Sequence, residues 1–564
     1  MADDAKTKIQ FYISDVDYDA GQNSIRIFGL TNDRKRIIIF DRTFKPYFYA
    51  VLTEDAEPNR VLELLRTTKI NHQGEEIKII HVKLEERKFL TKPVRVAKIF
   101  AETPSHIPIL QDTIKETYGI ATRTEYDIKF FKRYLIDKNL MPLALAEATV
   151  EPSSVRFNEI DYVFEAESVK QISTDALPTT KILAFDIETL SAGPFPQPHK
   201  DPIIMISFYG SDGFKKILSW KKFRDAGSYV TFVDSEINLI EEFVKTIAAH
   251  KPDLLVGYGS DNFDFPFLQI RAAKYGLNLD ISWAGLPVYS GTKGRAAAKT
   301  KGYQHLDLSH FIRNIMDLQT ERYKLDSVAK ELLGRGKLGG VDPKNIAEIW
   351  GSGDEDRLRN LAEYNLVDSE LALMIAEKIL PTEMQLMKLL GLPLFEINRM
   401  TYGQLVEWYC IRNAAQFGQL VPRKPKSWEV FERRKTSYEG AFVVKPKPGL
   451  YKNIHVFDFR SLYATIAASH NIGPDSVNCA CCADDARAKI GNVHFCQKEK
   501  SFYATLLGDL VERRKRIGEI LKTTPQDDPS HQDLIARRHA LKYIAASFYG
   551  YLGFAGSRWY SVEC

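Results

Sequence analysis

The stretch KILAFDIET (181–189) decides the fold of the central part of this chain. Its apolar run predicts a β-strand, and the period-two alternation of a strand places Asp186 and Glu188 on one face. The segments that follow are strand-like PIIMISFYG (202–210), helix-like INLIEEFVKTIAAH (237–250) and strand-like DLLVGYG (253–259). This alternation of strands and helices predicts an α/β domain with a central sheet.

Two later motifs add polar residues to this pair. DNFDFPFL (261–268) contributes Asp264, and EYNLVDSELAL (363–373) places Tyr364 and Asp368 on one face of a predicted helix. Neighbouring carboxylates repel each other, and a protein core seldom keeps such a pair without a cation. The pattern favours a metal-binding acidic cluster, and a purely structural acidic pair is the alternative.

Taken in this order, the motifs resemble the DEDD superfamily of 3′–5′ exonucleases, in the subtype whose third motif begins with tyrosine. The resemblance implies two divalent ions, Mg²⁺ or Mn²⁺, about 4 Å apart, which stabilise the attacking and the leaving oxygen. The four carboxylates would hold these ions, and Tyr364 would orient or help to deprotonate the attacking water. A nuclease fold that has lost its activity and serves as a scaffold is the alternative.

Composition adds broad limits. A chain of 564 residues is long enough for several domains, and 44% hydrophobic with 27% charged residues is typical of globular proteins. The net charge of +4 is small, so nucleic-acid binding would have to come from local basic patches. The N-terminus MADDAKTKIQ lacks the features of a signal peptide, and no apolar run reaches membrane-spanning length. We therefore expect a cytoplasmic protein without a membrane partner.

A second group of motifs lies in the last quarter of the chain. The run NIHVF (453–457) predicts a strand that delivers Asp458, and DFRSLYATI (458–466) continues through a turn into a helix. Two long amphipathic segments between residues 503 and 549 predict a helical hairpin with the polar tip TTPQDDPS (523–530). Helical spacing places Arg538, Lys542 and Tyr549 on one face of the second helix.

These motifs, with YEGAFV (438–443), LLGDLVERRKRI (506–517) and KYIAASFYGYLGFAGSRWY (542–560), resemble archaeal family B DNA polymerases. The resemblance covers nearly the whole chain. It implies a DNA-directed DNA polymerase with a second site for two ions, held by Asp458 and the backbone of Phe459. Its partners would be a DNA primer–template, dNTPs and a sliding clamp. The residues implied in nucleotide binding are Ser461, Leu462, Tyr463, Arg514, Arg538, Lys542 and Tyr549, and those implied in DNA binding are Tyr438, Gly440 and Ala441.

Two of these implied roles are more specific. Tyr463 occupies the position of the sugar gate, a ring that clashes with a ribose 2′-OH. In the N-terminal region, archaeal members bind template uracil in a pocket, and the matching positions are Tyr18, Pro46, Ile107 and Arg133. Without the resemblance, Tyr18 and Ile107 would be ordinary core residues.

The sequence also departs from the pattern of the family. Members commonly have proline at the position of Ala464, asparagine at Ala546 and lysine at Gly518, so nucleotide affinity is expected to be lower. Gly259 replaces an asparagine of the second exonuclease motif, which we expect to affect contact with the substrate strand more than metal binding.

The sequence contains neither the Asp-Thr-Asp hairpin nor the thumb of the family. With Asp458 as its only palm carboxylate, the chain is not expected to assemble the two-ion polymerase site alone. Either the chain is truncated, or it is the large subunit of a split polymerase of the kind found in thermophilic methanogens. In the second case a small subunit would supply the hairpin and the thumb.

Four of the six cysteines cluster at Cys479, Cys481, Cys482 and Cys496, with His494 nearby. The Cys-x-Cys-Cys spacing is unusual for zinc, so a zinc site, a local disulfide and free thiols all remain as interpretations. The resemblance to archaeal polymerases favours a disulfide, because those proteins carry a cysteine pair in this region.

The predicted architecture is α/β and α+β, with several domains. An N-terminal β-rich, template-reading domain (1–155, with 379–421 packing against it) is followed by an RNase H-like exonuclease domain (156–378). The first part of the palm (422–504), the helical-hairpin fingers (505–554) and the start of the remaining palm (555–564) complete the chain. The leading function is a proofreading DNA polymerase. A stand-alone 3′–5′ exonuclease with a vestigial polymerase region and a non-catalytic template-binding scaffold are the alternatives.

Overall fold

The computed structural model contains two compact units. Residues 1–44 and 134–400 form the first unit, and residues 45–133 and 401–564 form the second. The structure describes residues 7–176, 180–191, 193, 195–286, 288–290, 297–337, 345–436, 444–459, 461–485 and 489–564. Within those residues, no helix combines the length and the apolar character needed to cross a membrane.

Residues 7–176 are rich in strands, in keeping with the β-rich N-terminal region expected from the sequence. The strands are β1 (Thr7–Asp19), β2 (Ser24–Leu30), β3 (Arg36–Asp41), β4 (Tyr47–Leu52), β5 (Lys69–His72), β6 (Glu75–Phe89), β7 (Lys92–Ala101), β8 (Ile120–Thr124), β9 (Ala144–Pro152) and β10 (Tyr162–Ala176). The helices are α1 (Pro58–Arg66), α2 (His106–Thr113) and α3 (Phe130–Asp137). In the first unit, strands β1, β2, β3, β10 and β9 close into a barrel. In the second unit, β5, β6, β7, β4 and β8 form a sheet in that order.

The centre of the first unit is a mixed six-stranded sheet. Its strands are β11 (Ile182–Thr189), β12 (Ile203–Gly210), β13 (Lys215–Ser219), β14 (Val230–Phe232), β15 (Leu254–Gly257) and, after β16 (Tyr289–Ser290) and β17 (Ala298–Lys299), β18 (Gln304–Asp307). The order is β14-β13-β12-β11-β15-β18, with β12 antiparallel to β11 and β15 parallel to it. The stretch KILAFDIET thus forms a central strand, and the predicted α/β domain is confirmed.

Helices cover this sheet. They are α4 (Glu236–His250), α5 (Asp264–Lys274), α6 (Leu308–Ile315), α7 (Leu325–Leu333), α8 (Ile346–Ser352), α9 (Glu355–Leu390) and α10 (Leu394–Asn398). The caps of the long helix α9 define where it begins and ends. The Asp354 side chain accepts hydrogen bonds from the amides of Asp356 and Arg357, and Gly391 ends the helix in the left-handed conformation. Helix α9 packs on β11 and β12, which places the third motif over the first.

The rest of the second unit is mainly helical. Its elements are α11 (Tyr402–Ala414), α12 (Ser427–Lys435), α13 (Leu462–Ser469), β19 (Lys489–Ile490), β20 (Val493–His494), α14 (Phe502–Thr523) and α15 (Pro529–Gly553). Helices α14 and α15 form the hairpin predicted from the sequence, and the tip between them begins within TTPQDDPS. Tyr503 is fully buried in this hairpin and donates its hydroxyl to the carbonyl of Phe548, 2.9 Å away.

The prediction of a strand at NIHVF, within a β-rich region from residue 438, is wrong for the described residues 444–459. None of these residues belongs to a helix or strand, and Val456 and Phe457 are 88% and 92% exposed. A strand needs a neighbour to pair its backbone groups, and no other strand of the described second unit pairs with this segment. The apolar pattern therefore marks a segment that has no sheet partner.

Candidate functional site

An acidic cluster lies on the central sheet of the first unit. Strand β11 presents Asp186 and Glu188 on one face, and helix α9 brings Asp368 to the same place. One carboxylate oxygen from each of these residues lies within 4.8 Å of the others. Asp264 is the first residue of α5, and its Oδ1 accepts a hydrogen bond from the backbone amide of Ile187 at 3.2 Å. The sequence motifs therefore meet at the middle of strand β11.

Neighbouring side chains hold the cluster in position. Asn365 Nδ2 donates to Asp186 Oδ2 at 2.9 Å. The Lys337 ammonium group donates to Asp368 Oδ2 and, at 3.0 Å, to the Tyr364 hydroxyl. The other oxygen of Asp368, Oδ1, is buried and has no hydrogen-bond partner. This orphaned acceptor is an open coordination position for a cation.

The charges of the cluster are poorly compensated. Burial raises the pKa of all four carboxyl groups. The pKa of Asp186 lies well above its usual value. The pKa rises to about 8 for Glu188, about 7 for Asp264 and about 6 for Asp368. The negative charge of Asp368 further raises the pKa of Asp186 and of Glu188, and the Lys337 ammonium acts in the opposite direction. Four carboxylates facing one lysine need additional positive charge to ionise together. Divalent cations would supply it, and the oxygen donor set suits Mg²⁺ or Mn²⁺.

Tyr364 is buried beside this cluster, with 4% of its surface exposed. Burial, followed by the charge of Asp368, raises the pKa of its hydroxyl to about 12. At neutral pH the side chain is therefore a neutral phenol that donates or accepts a hydrogen bond. Of the two roles expected from the sequence, orienting a water molecule fits this state, and deprotonating it does not.

Lys337 is the neighbour that the sequence did not reveal. It follows helix α7 at residue 337, and its ammonium reaches across to helix α9. Its pKa is raised: burial alone would lower it, but the charges of Asp368 and Tyr364 outweigh this effect. The surrounding segment GRGKLGG matches no sequence motif, so only the three-dimensional structure identifies Lys337 as a neighbour of the acidic cluster.

A second acidic group in the same unit already has its cation. Asp261 and Asp307 lie close to His310, but Arg399 donates to Asp261 through Nε at 2.7 Å and Nη2 at 2.9 Å. Burial would raise the pKa of Asp261, yet the His310 hydrogen bond and the Arg399 charge together hold it below the usual value. A paired, fully buried carboxylate of this kind is structural. The comparison shows why the cluster around Asp186 is the better metal candidate.

Gly259, the departure in the second exonuclease motif, lies just before α5. Its φ of 81° lies in the left-handed region, which glycine adopts without strain. Its amide donates to Asp307 Oδ1 at 2.8 Å. The local backbone thus uses the conformational freedom of glycine at this position.

In the second unit, the segment DFRSLY is exposed. Asp458 is exposed, and the Phe459 ring keeps 76% of its surface accessible. Ser461 has a positive φ of 53° and immediately precedes Leu462, the first residue of α13. The Ser461 hydroxyl accepts a hydrogen bond from Arg514 Nη1 at 3.0 Å. This contact brings the first polymerase motif next to helix α14.

Tyr463 and Tyr549 stack on each other. Their ring centroids are 4.4 Å apart and their planes differ by 8°. Both rings line an apolar pocket that also includes Ile466, Leu507 and, beneath Tyr463, the buried Ala464. The stack fixes the orientation of the Tyr463 ring at the edge of helices α13 and α15.

A basic face runs along α15. Arg538 and Lys542 are exposed on it, one turn apart, together with Ala546. A Cβ atom at Gly518 of α14 would lie 3.8 Å from Arg538 Nε, so the two helices meet along this face. Burial, and then the charges of Lys542, Arg538 and Arg514, lower the pKa of His539. The three cations therefore act together as one positive patch that suits an anionic ligand.

The residues of the expected uracil pocket fall in both units. Tyr18 on β1 donates its hydroxyl to Asn23 Oδ1 at 2.9 Å. In the second unit, Ile107 belongs to the apolar core. Arg133 donates a hydrogen bond to the Glu125 carboxylate and lies over the Tyr47 ring. The Pro46 carbonyl accepts the amide of Ala101 at 2.9 Å. The DNA-binding positions Tyr438, Gly440 and Ala441 lie outside the described residues.

Comparisons with known proteins agree with this architecture. The family model described as "DNA polymerase family B, exonuclease domain" matches residues 122–328, and "DNA polymerase family B" matches residues 400–564. A DNA polymerase of Pyrococcus glycovorans is 35% identical over 558 residues, and one of Thermococcus gorgonarius is 34% identical over 559 residues. Each alignment covers 98% of this chain and 66% of the relative, so the chain spans about two thirds of the length of these relatives.

A solved structure supports the same grouping. The family B DNA polymerase from the hyperthermophilic archaeon Pyrobaculum calidifontis superposes with a TM-score of 0.79 at 27% identity, covering 98% of this chain and 70% of that one. The acidic cluster thus belongs to an exonuclease domain of the DNA polymerase type. The chain as a whole belongs to family B of the DNA polymerases, and the relatives named above come from archaea.

Proposed function

We propose that this chain is the large subunit of a DNA-dependent DNA polymerase with 3′–5′ proofreading activity, and that a smaller subunit completes its polymerase site. The observation that carries the enzymatic part is the acidic cluster of Asp186, Glu188, Asp264 and Asp368. Its four carboxylates have raised pKa values. Among the described residues, Asp368 Oδ1 has no hydrogen-bond partner, and Lys337 is the lysine that bonds to the cluster.

In the nuclease reaction, these carboxylates would hold two divalent ions, which polarise the scissile phosphate and supply a water or hydroxide nucleophile. Asn365 keeps Asp186 in place, and the backbone amide of Ile187 orients Asp264. The Tyr364 hydroxyl orients the attacking water. Lys337 compensates part of the negative charge on Asp368 before the substrate binds.

The nuclease proposal is tested by the double substitution Asp186→Ala with Glu188→Ala. We expect loss of metal-dependent 3′–5′ digestion of single-stranded DNA with an unchanged folded state, measured by circular dichroism. The matched control is Asp261→Asn, which changes a buried carboxylate of the same unit that Arg399 already neutralises; it should affect stability and spare the chemical step. Undiminished digestion by the double variant would place the nuclease site elsewhere.

The proposal for a second subunit rests on the surface around Asp458. The apolar segment before Asp458 is exposed, with Phe457 at 92% and Leu450 at 90% exposure, and no strand of the described residues pairs with it. Exposed apolar residues in such a run mark an interaction surface. We propose that its occupant is a small subunit carrying the Asp-Thr-Asp hairpin and the thumb. The hairpin would pair with this segment and add the second carboxylate to the two-ion site.

In the complete site, the basic face of α15 would receive the dNTP triphosphate. Arg538 and Lys542, with Arg514 from α14, would offset charge that develops on the α-phosphate and the leaving pyrophosphate. Asp458 would bind the ions together with the added carboxylate. We also propose a sliding clamp as a partner of the assembled polymerase and Mg²⁺ or Mn²⁺ as the ions of its active sites.

The polymerase proposal is tested by primer extension with the 564-residue chain alone and together with a polypeptide that carries the hairpin and the thumb. We expect extension only by the mixture, and digestion by both. Efficient extension by the chain alone would overturn the two-subunit arrangement. Digestion without extension in every mixture would favour a stand-alone exonuclease.

Recognition of template uracil is the most specific part of the proposal. It rests on the family relationship, in which Tyr18, Pro46, Ile107 and Arg133 match the positions of the pocket. We expect Ile107→Gln or Tyr18→Ala to let the assembled enzyme copy past template uracil, because the pocket needs close apolar contacts. If these variants still stop before uracil, these residues do not form the pocket.

A further inference from the structure

Four cysteine sulfurs meet between helices α13 and α14. The Sγ atom of Cys481 lies 3.6 Å from that of Cys479, 3.7 Å from that of Cys482 and 3.6 Å from that of Cys496. All four sulfurs lie within 4.8 Å of one another, and no pair is joined in a disulfide. The expected disulfide is therefore absent from this structure, and the spacing calls for another explanation.

The three distances that involve Cys481 match the edges of a coordination tetrahedron. A zinc ion bound by thiolates has Zn–S bonds of about 2.3 Å, so neighbouring sulfurs in a regular tetrahedron are about 3.8 Å apart. The three distances from Cys481 are within 0.2 Å of this value. A cluster of several irons is larger and would separate four cysteine sulfurs further than a single ion does. The arrangement thus fits one tetrahedral ion.

The local backbone explains how the Cys-x-Cys-Cys spacing brings its three sulfurs into a tetrahedral arrangement. A 3₁₀-helix spans Ala480–Cys482 and has Cys479 as its N-terminal cap. Cys479 and Cys482 are separated by two residues, which is the usual spacing of paired zinc ligands, and Cys481 between them adds a third sulfur. The short hairpin of β19 and β20 then delivers Cys496.

Backbone amides support the sulfurs. The amide of Gln497 donates to Cys482 Sγ at 3.4 Å, and the amide of Glu499 donates to Cys496 Sγ at 3.3 Å. His494 does not join the four sulfurs, because its Nε2 hydrogen-bonds to the Cys479 carbonyl at 2.7 Å. Hydrogen bonds of this kind orient metal ligands and partly offset the charge of thiolates.

Cysteines form the centre of this segment. Its buried cluster consists of Cys479, Cys482 and Cys496. Small modules with so little apolar surface usually depend on a disulfide or a metal ion for their fold. A metal ion held by the four sulfurs would add to the stability of this segment.

We propose that Cys479, Cys481, Cys482 and Cys496 form a structural zinc site. The site links two elements of the polymerase region through Asn471, which follows α13. Asn471 Nδ2 donates to the Cys496 carbonyl at 2.8 Å, and Asn471 Oδ1 accepts the amide of Ser501, the N-terminal cap of α14. The ion would therefore fix the start of the helix that carries Arg514.

The test is metal analysis of the full 564-residue chain, purified without chelators. We expect about one zinc ion per chain, which Cys481→Ser and Cys496→Ser each lose. The matched control is Cys564→Ser, which removes a thiol outside the cluster and should keep the ion. Because the acidic cluster of the first unit is proposed to bind divalent ions as well, Co²⁺ is substituted for zinc. Sulfur-to-cobalt charge-transfer bands then report thiolate ligands alone.

These bands should appear in the unmodified chain and in Cys564→Ser, and they should be absent from the two cluster variants. The unmodified chain gives this spectrum even if a cluster variant fails to fold. Absence of bound metal and of the cobalt bands would overturn the proposal. A disulfide among the four cysteines, found by thiol counting in denaturant, would also overturn it, as would iron in place of zinc.

Discussion

At the scale of single residues, Glu383 shows how burial couples the fold to pH. Its carboxylate on α9 is fully buried, and Oε1 accepts a hydrogen bond from Asn398 Nδ2 at 2.7 Å. Glu383 Oε2 and Asn398 Oδ1 are both buried without partners. A protonated carboxyl is neutral and avoids a buried charge. The ionised form leaves both unsatisfied.

Burial accordingly raises the pKa of Glu383 from 4.5 to about 7, against the opposing effect of the Asn398 hydrogen bond. A raised folded-state pKa stabilises the fold fully below the unfolded value, and this stability is lost as pH rises towards 7. We expect Glu383→Gln, which stays neutral, to match the parent near pH 4 and to exceed its stability above pH 7 by about 3 kcal/mol.

The measurement is chemical or thermal unfolding between pH 4 and 8. Glu377→Gln is the matched control, because Glu377 lies on the same helix and is exposed. This control should leave the pH dependence unchanged. A Glu383→Gln variant with the parental pH dependence would contradict the argument.

Tyr364 gives a second test at this scale. The neutral phenol beside Asp368 is placed to orient a water molecule, so Tyr364→Phe should lower the nuclease kcat by roughly 100-fold. The concentration of Mg²⁺ needed for half-maximal activity should stay the same, because the phenol is not expected to be a metal ligand. Single-turnover digestion across a Mg²⁺ titration measures both quantities. A large shift in the Mg²⁺ requirement with little change in kcat would refute this role.

At the scale of elements, the stacking of Tyr463 on α13 against Tyr549 on α15 leads to a prediction about the choice between ribonucleotides and deoxynucleotides. In the reconstituted polymerase, Tyr463→Ala should raise ribonucleotide incorporation far more than it lowers deoxynucleotide incorporation, because it removes a steric block. Tyr463→Phe keeps the ring and the stack on Tyr549, and should keep discrimination. Competing single-nucleotide incorporation of rNTP and dNTP measures the ratio. An unchanged ratio in Tyr463→Ala would place the gate at another residue.

The same scale shows what sequence patterns could and could not supply. Strand β11, helix α9 and the α14–α15 hairpin were predictable because β11 is a short apolar run and the helices are long segments with clear ends, such as the caps Asp354, Ser501 and Asp528. The segment before Asp458 has an equally good strand pattern, yet it forms no strand, because pairing is non-local. Sequence patterns also could not predict the contact of Lys337 with Asp368 or the arrangement of the four sulfurs, since each depends on residues brought together by folding.

At the scale of the whole molecule, the exposed apolar segment of residues 450–459 determines how the enzyme would assemble. A partner strand there would bury the Val456 and Phe457 side chains, and burial of one large apolar side chain contributes about 2 kcal/mol. We therefore expect Phe457→Asp to weaken binding of the small subunit by at least 10-fold, because it places a charge in an apolar interface.

The measurement is the Kd of the two chains, followed by primer extension and digestion on the same samples. Phe195→Asp is the control, since Phe195 is 81% exposed in the first unit and lies outside the proposed interface. It should bind the small subunit normally. Extension by the Phe457→Asp chain should return at high small-subunit concentration, because the substitution weakens association without removing Asp458. Digestion should be unaffected throughout, since its carboxylates lie in the other unit. Normal affinity of Phe457→Asp would exclude this segment from the interface.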